Sequence, residues 1–256
     1  MISEMLSYDF IQRAFLGGVL VSLCAALLGV SLVLKRYSMI GDGLSHVSFG
    51  ALSIAIACGI APLKFAIPVV IVAAFLLLRL AENGKMRSDA AIAMVSASSL
   101  AIGVIVTSLT TGLSTDIYSY MFGSILAMSK DDVVVSGLLS VIVIIMFVAC
   151  YHKIFAVTFD ENFSKATGVK VGMYNTLISI FTAITIVVGI KMMGAMLISS
   201  LIVFPSLTSM RIFKSFKSVT ICSAILSVVN FTIGLICSYG FSIPAGASVV
   251  VANLIM

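Results

Sequence analysis

The sequence predicts an all-helical integral membrane protein, a polytopic bundle of eight or nine transmembrane helices, and three observations support that prediction. Hydrophobic residues make up 61% of the 256-residue chain and charged residues only 10%, where an ordinary soluble domain holds about 25% charged. The apolar stretches run for about 17–25 residues, the length a helix needs to cross roughly 30 Å of hydrocarbon. They lack the shorter, alternating pattern of a membrane barrel.

The elements follow in order. The opening MISEMLSYDF carries acids and no basic n-region, so the first span, about 10–34, is expected to stay in the mature protein rather than leave as a signal peptide. Further spans fall at about 43–60, 65–80 and 90–109. Residues 111–128 are too polar at their start to cross and read as a short helix lying at one surface or dipping in. Spans then follow at about 133–151, 171–190, 192–210 and 218–239, with a shorter apolar segment at 243–256. Whether that last segment crosses decides between eight and nine. Two helices meet with almost no loop at Lys191, which predicts a tight antiparallel hairpin. Nothing rich in proline and serine divides the chain, so residues 1–256 read as one transmembrane domain.

Charge sets orientation. Eleven of the fifteen lysines and arginines fall in loops 35–41, 79–89, 152–170 and 211–217, against four on the other side. By the positive-inside rule those loops are cytoplasmic and the N-terminus is outside; with nine crossings the C-terminus is cytoplasmic. The net charge of +5 therefore belongs to loops facing the cytoplasm and gives no reason to expect nucleic acid as a partner. The five cysteines (Cys24, Cys58, Cys150, Cys222, Cys237) lie in or beside apolar segments without a C-x-x-C pair and read as small packing residues. The stretches GGVLVSLCAALLG and GIKMMGAMLISS are rich in small residues, which lets helices approach closely.

Chemistry concentrates in the second span, which begins GDGLSHVSFGALS. Asp42 and His46, four apart, share one helix face, and Phe49, Gly50 and Ser53 continue it. An ionisable group within a span is expensive and usually faces a cavity or a partner. A carboxylate oxygen and a neutral imidazole nitrogen are ligands for zinc at about 2.0–2.2 Å, and they also suit manganese and iron. Two ligands make no closed site, but a two-fold dimer with its pathway on the axis would bring a second pair. The plainer alternative is that Asp42 caps its helix and His46 is an ordinary core histidine. The depth of the pair in the membrane stays open.

The loop FAVTFDENFSKATGVKVGMYN, residues 155–175, predicts a short amphipathic helix. Asp160 and Glu161 stand at its start, where acids suit the positive end of the helix dipole, and Gly168 stands where it would stop. Such a helix could be gripped by a soluble partner or be an ordinary surface helix.

The stretch SMIGDGLSHVSFGA resembles the D-x-x-x-H signature of bacterial ABC-transporter permeases for zinc, manganese and iron. TFDENFSKATGV is similar to that family's segment docking onto the ATPase. GIKMMGAMLISSLIVFPSLTSM and IPAGASVVVAN resemble the span pair and terminal segment that follow, in the family's order. The resemblance implies the type II importer permease fold and a multi-pass protein of the bacterial cell membrane. It assigns Asp42 and His46 to the metal-coordinating pair of the translocation path. Residues about 159–168, with Phe159, Asp160, Glu161, Phe163, Lys165 and Gly168, correspond to the coupling helix that meets the ATP-binding subunit. It implies a permease homodimer in the lipid bilayer, two ATP-binding subunits and an extracytoplasmic metal-binding protein. His46-Val47-Ser48 resembles the zinc members more than the manganese ones. On this reading the cargo is zinc, no cofactor is permanently bound, and the chain is no enzyme. It has no G-x-x-x-x-G-K-[ST] phosphate loop. The competing reading is a stand-alone secondary transporter, a class marked by inverted repeats and matching helix breaks. Here Pro205 interrupts one span with no matching break noted elsewhere.

Overall fold

A computed structural model describes residues 9–82, 88–110, 130–241 and 243–256, and within them the chain is helical. The helices are α1 (Asp9–Leu34), α2 (Ile40–Ala57), α3 (Pro62–Glu82), α4 (Ser88–Leu109), α5 (Lys130–Ala149) and α6 (Tyr151–Phe159). After these come α7 (Glu161–Ala166), α8 (Val171–Met193), α9 (Ala195–Ile212), α10 (Phe216–Phe241) and α11 (Ala245–Ile255). The segment 111–128 lies outside the described residues.

The apolar stretches read from the sequence each contain a helix, but the expected count of eight or nine crossings is not reproduced. Among the described residues five helices are long and apolar enough to cross, within α1, α2, α4, α8 and α10. A sixth crossing requires α5 and α6 to be taken together, and these are bent 71° relative to each other. The sequence placed a span at 133–151 and a loop from 152. Instead the helix turns sharply at Cys150 and continues to Phe159. At 11 residues, α11 is about 16 Å long, half of the roughly 30 Å core, so the ninth crossing has no support in its length.

The break between α8 and α9 falls at Gly194, three residues beyond Lys191. Gly194 has φ 89° and ψ 160°, a conformation open to glycine and closed to nearly every other residue. Close packing resumes across it: a Cβ on Gly189 would lie 2.5 Å from Ile198 Cδ1. Pro205 is not the only proline within a helix, because Pro68 lies inside α3 as Pro205 lies inside α9.

The helix α1 forms the centre, with α5, α8, α9 and α10 packed around it, while α2 fits between α3 and α4 on one side and α8 and α9 on the other. Small residues permit this. A Cβ on Gly29 would stand 2.1 Å from the Ile202 carbonyl oxygen of α9, and one on Gly50 would stand 2.8 Å from the Ser99 carbonyl of α4. Hydroxyls join the interior, as where Ser227 on α10 donates to the Ser22 carbonyl of α1 at 2.9 Å. Outward, α4 and α5 expose Ile102, Ile105, Val134, Leu138 and Ile145. A belt of that kind suits hydrocarbon, where helices satisfy their own backbone polar groups.

Three of the four basic loops gather at one end. Lys35 of the first contacts Glu161 of the third. The ring of Phe216, beside the fourth, lies 5.2–6.0 Å from the rings of Tyr151, Phe155 and Phe159. The sequence grouped these loops by charge, and the fold brings them together.

Candidate metal pair and coupling segment

The helix α2 is buried along nearly its whole length, and Asp42 and His46 mark the opening in it. From Ile40 to Ser53 every other residue is buried, while the side chains of Asp42 and His46 are 48% and 24% exposed. Among the described residues of this part of the helix, theirs are the side chains left partly open. His46 Nε2 lies 3.7 Å from Asp42 Oδ2, too far for a hydrogen bond. Two ligand atoms about 2.1 Å from one tetrahedral metal would stand about 3.4 Å apart. A shift of a few tenths of an ångström would let both atoms reach one ion.

The capping alternative for Asp42 is not what the helix uses. The N-cap is Met39, without a side-chain cap bond, and Asp42 lies in the first turn, where its charge suits the dipole. His46 sits about 9 Å along the axis from the helix start, so the pair belongs to the end of α2 nearest the basic loops. The continuation of that face is closed. A Cβ on Gly103 of α4 would meet the Phe49 ring at 2.7 Å, Gly50 abuts Ser99, and the Ser53 hydroxyl donates to the Phe49 carbonyl. Among the described residues no group of three or more His, Cys, Asp or Glu is placed to hold a metal. The described residues of one chain thus place two such groups on this face.

The expected loop helix is present as α7, only six residues long. So short a helix is unstable alone, and its ends explain its survival. Asp160 is its N-cap and accepts from the Phe163 amide at 2.9 Å. At the other end the Gly168 and Val169 amides donate to the Lys165 and Ser164 carbonyls, with Gly168 at φ 81°, a Schellman closure. Phe159 ends α6 with one side of its ring against Phe155 and Phe216 and the rest exposed, and Phe163 is 65% exposed. Lys165 is also exposed, in the last turn of α7.

Glu161 behaves differently from its neighbours. Its carboxylate turns inward and accepts from Lys35 Nζ at 2.8 Å and from Asn175 Nδ2 at 3.0 Å, while Lys35 also donates to Asn175 Oδ1. Burial opposes the charged form of Glu161. The hydrogen bonds from Lys35 and Asn175, with the positive charges of Lys35 and Lys165, outweigh it and hold the carboxyl below its ordinary range. Sequence reasoning missed Lys35 and Asn175 as site residues. Lys35 registered only as one of the loop charges, and Asn175 as the close of a surface segment. The available signal was an amide in the second turn of an otherwise apolar span.

The sequence profile of the ABC 3 transport family matches residues 7–256. The high-affinity zinc uptake system membrane protein ZnuB of Buchnera aphidicola is 30% identical over 247 residues, covering 96% of this chain and 94% of that protein. The manganese import system permease protein ScaB of Streptococcus gordonii is 26% identical over 249 residues, covering 97% and 89%. Among solved structures, PsaBC from Streptococcus pneumoniae, in complex with Fab, superposes with a TM-score of 0.88 at 26% identity, covering 99% of this chain and 93% of that one.

Proposed function

This chain belongs to the ABC 3 transport family, and from that premise we propose that it is the membrane-spanning permease of an importer that carries zinc through a path lined by Asp42 and His46. As a metal permease it is a transport subunit rather than an enzyme. The observation behind the site is the opening on α2, where two metal-ligating groups face outward at 3.7 Å on a helix that otherwise packs on all sides. A second copy of the chain, related by a two-fold axis, would add its own pair and complete four ligands. Two ligands in each wall also suit a cargo that must bind well enough to shed water and loosely enough to leave.

Energy then comes from two ATP-binding subunits docked on Phe159, Phe163 and the rest of α7, and an extracytoplasmic binding protein delivers the ion. Zinc is favoured over manganese by the His46-Val47-Ser48 stretch, while the two donors themselves suit both metals. The test is uptake of radioactive zinc and manganese, separately and in competition, by vesicles holding the permease with its ATP-binding subunit. Zinc uptake that requires ATP and disappears in Asp42→Ala and His46→Ala, with both variants still in the membrane, is the expected result. Full uptake by either variant refutes the site, and transport of manganese in preference to zinc refutes the cargo.

A further inference from the structure

The Lys35–Glu161–Asn175 cluster joins three pieces of chain that the proposed transport cycle has to move together. Glu161 is the first residue of α7, Asn175 lies in the first turns of α8, and Lys35 closes α1 seven residues before Asp42. The Lys35 side chain is only 8% exposed while that of Glu161 is 39% exposed, so the pair sits at the edge of the bundle, and separating it would leave the shielded ammonium without its nearest counter-charge. The connection from Lys35 to α2 is short and tight. The Tyr37 amide donates to the Leu32 carbonyl at 2.8 Å, Ile40 to Tyr37 at 3.0 Å and Gly43 to Met39 at 3.0 Å. That turn is also strained, since Arg36 holds φ 61°, a left-handed conformation that costs a non-glycine residue about 1–2 kcal/mol. Surrounding structure has to impose it. Beside the cluster lies a cavity of about 10 Å³ lined by Lys35, Tyr37, Ile40, Leu44 and Asn175 among others. It has room for about one water, so the first turn of α2 has slack on the side facing the clamp.

We infer that Lys35 is a positioning residue for transport, transmitting movement of α7 through the 35–39 turn to the Asp42–His46 end of α2; this rests on the permease reading above. Contiguous packed side chains, salt bridges and rigid helices that have two discrete arrangements carry such coupling. The exposed rings of Phe159 and Phe163 receive the partner, and the inward-facing Glu161 passes the movement on.

The test uses the permease with its ATP-binding subunits in proteoliposomes, with zinc as the transported ion. In Lys35→Met the subunits stay bound and ATP hydrolysis persists, while zinc transported per ATP falls by about tenfold, within the usual range for coupling between sites. Lys35→Arg keeps most of the coupling. Deuterium exchange gives a readout independent of the metal: residues 36–46 change protection on ATP binding in the wild type and do not in Lys35→Met. Unchanged transport per ATP with an intact exchange response overturns the proposal. Loss of subunit binding in Lys35→Met also overturns it, by reducing the pair to a structural brace. Should Lys35→Met fail to reach the membrane, Glu161→Gln replaces it, and full coupling there is equally fatal. Zinc transport persisting in Asp42→Ala would sink the metal site alone, since the exchange response judges the clamp separately.

Discussion

Lys35 Nζ and Glu161 Oε1 lie 2.8 Å apart although 126 residues separate them in the chain, and their contact seats the surface helix α7 on the membrane bundle. Pairing and hydrogen bonding offset the cost of shielding the Lys35 ammonium from water, while Glu161 keeps part of its surface exposed.

The pair has a pH signature. Glu161 has its carboxyl held below the ordinary range in the folded protein. Its contribution to stability is complete above the ordinary glutamate value of about 4.3 and is lost as pH falls through the lower folded value. Thermal denaturation in detergent from neutral pH downward should show the wild type losing stability across that acidic window. Lys35→Met should lose less there, because it lacks the partner that lowers the carboxyl. Parallel curves for the two proteins would count against the pairing.

Arg36→Gly should stabilise the protein. The helix ends at α1, α2 and α7 share one closure, with residues 36, 59 and 168 in the left-handed region, and only the first is not glycine. Relief of that strain, less the backbone freedom that glycine adds to the unfolded chain, amounts to about 0.5–1 kcal/mol. A melting temperature at or below wild type would contradict the assignment.

Gly29→Val should destabilise by about 1–3 kcal/mol or prevent insertion, because its new atoms would meet the Ile202 backbone. Gly137→Ala is the matched control. Its Cβ finds nothing closer than Leu20 Cδ1 at 3.9 Å, and removing a helical glycine gains about 0.5 kcal/mol. Melting temperatures that moved together for both variants would refute the close α1–α9 contact.

Phe163→Ala should leave thermal stability of the isolated permease unchanged, since the ring is exposed. Its affinity for the ATP-binding subunit should fall by about tenfold, or about 1.4 kcal/mol, measured by co-purification at graded subunit concentrations. Equal affinity would remove Phe163 from the docking surface.

Much of this protein is legible locally. Hydropathy marks where the apolar helices lie, because each must satisfy its own backbone in lipid whatever packs beside it, but it did not give the number that cross. The Asp42–His46 spacing and the limits of α7 are likewise set within a few residues, by helical periodicity and by the Asp160 cap and Gly168 closure. The bend at Cys150 and the seating of α9 escaped, since both depend on which neighbour each helix meets.

What the sequence by itself determined is therefore the class of protein and the Asp42–His46 spacing on one helix face, both written in short-range patterns. Only the tertiary structure decided that Glu161 faces inward to Lys35 and Asn175, that the face beyond His46 is closed by α4, and that α2 is open at Asp42. These facts concern which distant segments share a dielectric environment and a contact distance. A charge pair acts over a few ångströms of space, and spacing along the chain does not show which residues the fold will bring that near.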